Sequence, residues 1–242
     1  MNPTIQSLFD RKSVRAYTDR EISPEDKALI LQSAAMAPTA GNQQLYTILD
    51  ITDQAIKDTL VKTCDNQPFI ARAKLVLIFC ADCKKWYDAF LSSGCEPRQP
   101  GVGDLTLAIA DAVIAAQNAV VVAESLGIGS CYIGDIAENC EAHRELLGLP
   151  KYVYPACMLV FGYPTGQQQT RPKPVRAAME HIVHENRYRC MGSEELRAML
   201  LKNVAPGNTY ENWIAAFCKR KYNSDLSREM TRSVGEYLKD FV

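Results

Sequence analysis

The chain has 242 residues, 47% hydrophobic and 23% charged, with 27 Lys and Arg against 28 Asp and Glu. That balance gives no general electrostatic case for nucleic acid or an anionic membrane as partner, and the length suits one large domain or two small ones. No apolar run reaches the roughly 18–20 residues that span a bilayer, and residues 1–11 lack the basic, apolar and small-residue order of a signal peptide, so a cytoplasmic protein without membrane association is expected. Nine cysteines, several inside apolar runs such as 75–80, read as free buried thiols in a reducing compartment. In chain order, Ser23, Pro24 and Asp26 open a helix: serine caps it, proline fits its first turn, and Asp26 stands three residues after the cap. That helix stops before Pro38. Residues 45–51 read as a strand, 53–62 as a short amphipathic helix, and 74–80 as a central strand covered on both faces. A loop is expected over 98–104. The longest helix follows over 105–126, closed by Gly127. Its apolar residues, among them Ile109, Val113, Ile114, Val120 and Val121, surround nearly the whole circumference. Such a helix is buried at a domain centre or in a subunit interface. Strands are expected at 130–133 and 156–163 with a helix near 138–147 between them, then helices at 194–202, 211–221 and from 226 to the end. The organisation is α+β or three-layer α/β, and no GxGxxG follows the first strand to support a doubly wound dinucleotide domain.

Two segments carry concentrated cations. Arg11, Lys12, Ser13 and Arg15 lie within five residues, and in an extended segment Arg11, Ser13 and Arg15 project to one side. Two guanidiniums and a hydroxyl on one side suit a phosphate dianion, while a solvated basic patch is the plainer alternative. The second segment holds Arg171, Lys173 and Arg176 between prolines that keep it extended, and taken alone such a segment is more often a surface loop. The turn with Thr39, Gly41 and Asn42 and the strand end Tyr132, Ile133, Gly134 allow close backbone approach to a flat ligand. There is no GxSxG elbow, HExxH or P-loop, and His181 and His184 lack further ligands for a metal. Cys80 and Cys83 have CxxC spacing but follow a buried strand, which points to a structural role. No catalytic side chain emerges, which an enzyme can do without if a cofactor carries the reaction.

Taken together, the segments TIQSLFDRKSVRAYTD, APTAGNQQ, NQPFIARAKLVLIFCAD, AIADAVIAAQNAVVVAESLGIGSCYIGDI, LLGLPKYVYPACMLVFGYP and KPVRAAMEHIVHENRY resemble the nitroreductase superfamily in order and spacing over residues 3–190. The likeness is to the branch of NADPH-dependent oxygen-insensitive nitroreductases and NADPH–flavin oxidoreductases. It implies an α+β, three-layer α/β/α fold with a mixed central sheet, a domain over 1–190, a helical extension over 191–242 packing on the dimer, and a homodimer built on the long apolar helix. It further implies that Arg11, Lys12, Ser13 and Arg15 hold the phosphate and ribityl chain of FMN, and that Lys173 and Arg176 close on the phosphate and ring edge, with Arg171 as the alternative to Arg176. Thr39 and Asn42 then reach the flavin across the subunit interface, Gln67 bonds the ring, and Tyr132, Ile133 and Gly134 bring backbone N–H groups to its N5 region. The implied reaction is ping-pong hydride transfer from NADPH or NADH through FMN to nitro compounds, quinones or flavins. The alternatives are a reductase that releases reduced FMN and a low-turnover flavin-binding sensor. One departure bears on the nicotinamide: 207–213, where relatives carry arginines for the 2′-phosphate, has none.

Overall fold

A computed structural model describes all 242 residues. The chain divides into two compact units, Met1–Arg171 with Glu229–Val242, and Pro172–Arg228.

The first unit begins with a helix the sequence reading had not assigned, α1 (Pro3–Asp10), whose N-terminus is capped by Asn2 accepting from Ile5 N at 2.9 Å. Helix α2 (Pro24–Ala35) starts where expected, with the Ser23 hydroxyl accepting from Asp26 N at 3.0 Å. The strands are β1 (Tyr46–Asp50), β2 (Leu75–Asp82), β3 (Gly129–Ile133) and β4 (Val153–Gly162), in the order β1-β2-β4-β3. All three pairings are antiparallel. The sheet is therefore antiparallel and not mixed as expected; the one parallel pairing, Ser13 with Ser130, is an isolated bridge to a segment that is not a strand of the sheet. Every residue of β2 is buried, as a continuous apolar run in a central strand requires.

Alternation along the strands sorts the core into two layers. One sheet face, with Leu77, Phe79, Leu159 and Phe161, packs on α2 and on α6 (Val102–Ser125); between β1 and that helix come α3 (Gln54–Thr63), α4 (Phe69–Arg72) and α5 (Lys84–Ser92). The other face, with Val76, Ile78, Met158 and Val160, packs on Leu60 of α3, Ile70 of α4, Cys140 of α7 (Cys140–Leu147) and Tyr237 from the C-terminal segment. Helices α4 and α5 are further elements beyond those expected from the sequence.

Helix α6 begins at Val102, inside the expected loop, because Asp104 folds back to accept from Gly101 N at 2.8 Å. It ends with Gly127 at φ 74°. By length and composition it is apolar enough to cross a bilayer, which corrects the expectation that no such stretch exists: Thr106, Asp111, Gln117 and Asn118 interrupt the run without lowering its average enough. In the fold, Ala112, Ala115, Ala116, Ala119 and Ala123 are buried against the sheet and α2, and Ala108 in a smaller cluster with Leu45 and Ala81. Leu107, Val113 and Ile114 form an apolar stripe left exposed. All nine cysteines are free, and burial pushes Cys80 and Cys83 up to about 12, so the CxxC pair is structural.

After β4 comes the short α8 (Gly166–Thr170). The second unit, considered alone, is built on α9 (Ser193–Leu201), α10 (Tyr210–Lys221) and the start of α11 (Asp225–Leu238). Thr209 caps α10 by accepting from Asn212 N at 3.2 Å. Arg189 pairs with Glu195 at 2.6 Å, and Arg197 with Glu211 at 2.5 Å.

Candidate cofactor site

Residues 11–18 form a strap across one end of the sheet. Val14 N donates to Ser130 O at 2.9 Å, Thr18 N to Tyr163 O at 2.8 Å, and Thr165 N to Ala16 O at 3.2 Å. The strap lies close because Gly129 and Gly162, register partners on β3 and β4, have no side chains there. A Cβ on Gly129 would sit 2.5 Å from Val14 Cγ2, and one on Gly162 would sit 2.6 Å from the Tyr17 ring.

This seating fixes the cations. Lys12 Nζ donates to the carbonyls of Gln169 (2.6 Å) and Arg171 (2.5 Å), while Arg171 Nη2 returns a bond to Ser13 O at 2.6 Å. Arg15 N bonds Gln168 Oε1 at 3.2 Å, and its guanidinium lies 5.9 Å from the Phe69 ring centroid. Arg171 thus joins the first basic segment. Around it, Arg11 Nη1, Arg171 Nε, Ser130 Oγ and Thr165 Oγ1 are closed off from solvent without a hydrogen-bond partner. Buried N–H donors, above all cationic ones, are ordinarily satisfied, so these atoms define a place that an anion's oxygens would complete. Burial raises the Cys131 thiol, and Arg15, Ser13 and Arg11 pull it back down.

Further along that edge, Tyr132, Ile133 and Gly134 lead into a turn at Asp135–Ala137. Gln67 faces this turn: its Nε2 donates to Cys64 O at 2.9 Å and to Asp135 Oδ2 at 2.7 Å. Behind it lies Glu138, 3% exposed, whose carboxyl is pushed up to about 7 by burial and then by Asp135, Asp65 and Glu229. His143 is fully buried between Ile136 O (2.9 Å) and Thr63 Oγ1 (2.8 Å), and its burial lowers its pKa, so it serves the core.

The turn with Thr39 and Asn42 stands elsewhere. Thr39 Oγ1 accepts from Gln44 N at 3.2 Å, and Asn42 adopts φ 57°. Both ends of the turn are tied to buried Asp111 of α6, which accepts from Ala40 N at 3.0 Å and Leu45 N at 3.2 Å. The strap joins edge strand β3, whose Ser130 lies in a row with Phe161 and Leu75, whereas the turn leads into the opposite edge at Tyr46, beside Ala81. Three strand spacings across and six residues along separate Ser130 from Tyr46 by about 25 Å, and with three residues along, Ile133 lies about 17 Å from Tyr46. One chain therefore brings Arg11, Lys12, Ser13, Arg15, Gln67, Tyr132, Ile133 and Gly134 along one edge but not Thr39 and Asn42. Lys173 and Arg176 belong to the second unit, where Arg176 lines a small hollow of about 60 Å³ with Met199 and Lys202. Sequence reading missed Asp111 and Asp135. The signal for Asp111 was a charge in the middle of an apolar helix; Asp135 had none beyond its place after Gly134.

An antiparallel sheet between two helical layers, with an anion-suited strap on its edge, is the architecture of a small α+β ligand-binding protein. The profile of the Nitroreductase family matches residues 8–163, and the chain belongs to that family. It is 35% identical over 189 residues to the oxygen-insensitive NADPH nitroreductase of Salmonella typhimurium, covering 78% of this chain and 75% of that protein. It is 30% identical over 239 residues to the FMN reductase [NAD(P)H] of Bacillus subtilis, covering 98% and 91%. The crystal structure of nitroreductase A from Vibrio parahaemolyticus superimposes with a TM-score of 0.82 at 26% identity, covering 98% of each chain.

Proposed function

We propose that the chain is a cytoplasmic, FMN-dependent oxidoreductase that takes hydride from NADPH or NADH and passes it to nitro compounds, quinones or flavins. The observation that carries this reading is the pair of guanidinium donors, Arg11 Nη1 and Arg171 Nε, shielded from water with no acceptor beside a strap rich in further donors. A phosphate monoester is the ligand class that answers them, and relatives named nitroreductase and FMN reductase agree with a flavin as its carrier.

In this reading Arg11, Ser13 and Arg15 hold the phosphate and ribityl chain. Lys12, already bonded to two carbonyls, keeps the strap and Arg171 together. Gln67 meets the ring, and the backbone of Tyr132, Ile133 and Gly134 runs beside it, offering N–H dipoles to negative charge. Arg171, the alternative to Arg176, closes on the phosphate from within the same unit as the strap. FMN, when bound, supplies the centre that accepts and returns hydride, which relieves the chain of providing an acid, base or nucleophile.

The functional unit is a homodimer. The exposed stripe of Leu107, Val113 and Ile114 is the surface for a second copy, whose Thr39 and Asn42 reach the site that a single chain's own turn lies too far away to complete. Residues 1–190 form the flavin domain and 191–242 a helical extension on the dimer, with the segment from Glu229 onward returning to the first unit. A visible spectrum tests the reading: purified protein is expected to be yellow and to bleach when NADPH or NADH is added without oxygen. A colourless protein that ignores added FMN would refute it. Release of reduced FMN as the physiological product is the second reading, favoured by similarity to an FMN reductase over 98% of this chain. Turnover with free FMN against a nitroaromatic separates the two.

A further inference from the structure

Gln67 is a neutral amide, able to present either an oxygen or an N–H to a ligand, and only its surroundings decide which. Its Nε2 carries two hydrogens, and both are committed, one to Cys64 O at 2.9 Å and one to Asp135 Oδ2 at 2.7 Å. Both partners are acceptors only, because a backbone carbonyl and a carboxylate have no proton to give. The opposite rotamer would set Oε1 against two oxygens, so the amide is held with its oxygen outward. The backbone reinforces this: Asp65 and Asn66 adopt left-handed φ of 59° and 50°, and Gln67 N is tied to Val61 O at 3.1 Å.

We propose that Asp135 is a positioning residue that makes Gln67 an acceptor toward the flavin ring, so that the site selects the ring's N3–H. This rests on the FMN reading. An oxidised isoalloxazine exposes acceptors at N1, O2, O4 and N5 but a single donor, N3–H. An outward oxygen pairs with that donor alone, and an outward NH2 would pair with its neighbours. Asp135 thus sets the polarity of recognition without touching the cofactor.

The test compares binding of FMN with 3-deaza-FMN, in which a carbon replaces the ring nitrogen at position 3 and no N–H donor remains there. The wild-type chain is expected to prefer FMN by about fivefold or more, the worth of one neutral hydrogen bond. In Asp135→Ala the preference falls below about twofold, because Gln67 keeps only one anchor. In Asp135→Asn most of it returns, since an asparagine oxygen still accepts. FMN labelled with 15N at N3 gives a readout that needs no variant: in the wild-type complex the N3 proton is expected to exchange with water at least tenfold more slowly than in free FMN. FMN bound with a freely exchanging N3 proton, or with equal affinity for the deaza analogue, would overturn the role of Asp135 and leave the flavin reading standing. A wild-type chain that binds no FMN would overturn both.

Discussion

Glu138→Gln is expected to stabilise the protein, by a margin that grows as pH rises from about 4.5 to 7 and is then constant. Glu138 is 3% exposed and packs close to three other carboxylates, Asp135, Asp65 and Glu229, which together with burial hold its proton on until about pH 7, against 4.5 for a free glutamate. Below pH 4.5 the group is protonated in both the folded and the unfolded chain, and the folded state loses nothing. Between 4.5 and 7 the unfolded chain ionises while the folded chain keeps its proton, so stability falls as pH rises; above 7 the loss is complete. At roughly 1.4 kcal/mol per pH unit the ceiling is about 3.5 kcal/mol, and about 2 kcal/mol remains if water and the side chain relax around the charge. Glutamine keeps the shape and cannot ionise. Thermal melts of wild type and variant should nearly coincide at pH 4.5 and separate by about 5–10 °C at pH 8, the variant higher. A variant that melts below wild type at pH 8, or by the same margin at every pH, would refute the assignment of a strained carboxyl at this position.

Arg11→Ala should weaken FMN binding by about 1.5–3 kcal/mol in a fluorescence titration with little change in melting temperature, and Arg171→Ala should weaken it similarly while also lowering the melting temperature, because the bond to Ser13 O is lost; unchanged affinity would remove that arginine from the site. Gly129→Ala drives a methyl into Val14, and the strap must rise by about 1 Å or more, at a cost of about 1–3 kcal/mol in stability and weaker FMN binding. A Gly129→Ala protein with wild-type melting and affinity would show that the close approach is not needed. Ile114→Asp places a charge in the exposed stripe and is expected to give monomers with low flavin content by light scattering and absorbance; a dimer that keeps its flavin would relocate the interface.

Much of this was legible in the residues. The unbroken run at 75–80 announced a strand covered on both faces, and Ser23 with Pro24 and Asp26 marked the start of α2 to the residue. The strap could be read as a group of cations, but not as a seated segment, because its seat depends on two distant glycines that face each other only once β3 and β4 pair. Helix α5 escaped notice because its N-terminus is held by Asp82, which belongs to the preceding strand and accepts from Lys84 N at 3.0 Å and Lys85 N at 3.2 Å. Arg171, Lys173 and Arg176 look like one cluster in the sequence, yet the boundary between the two units passes just after Arg171. No local pattern announces such a boundary.

A single carboxylate, Asp111, grips both ends of the turn that carries Thr39 and Asn42. The turn is therefore geared to the helix beneath it, and cannot swing unless the helix rolls or the grip breaks. The same helix bears the stripe proposed to meet a second copy. Any small rotation that improves that meeting would re-aim the turn in the same stroke, so assembly and the completion of the neighbouring site would be adjusted by one rigid lever rather than by two independent loops.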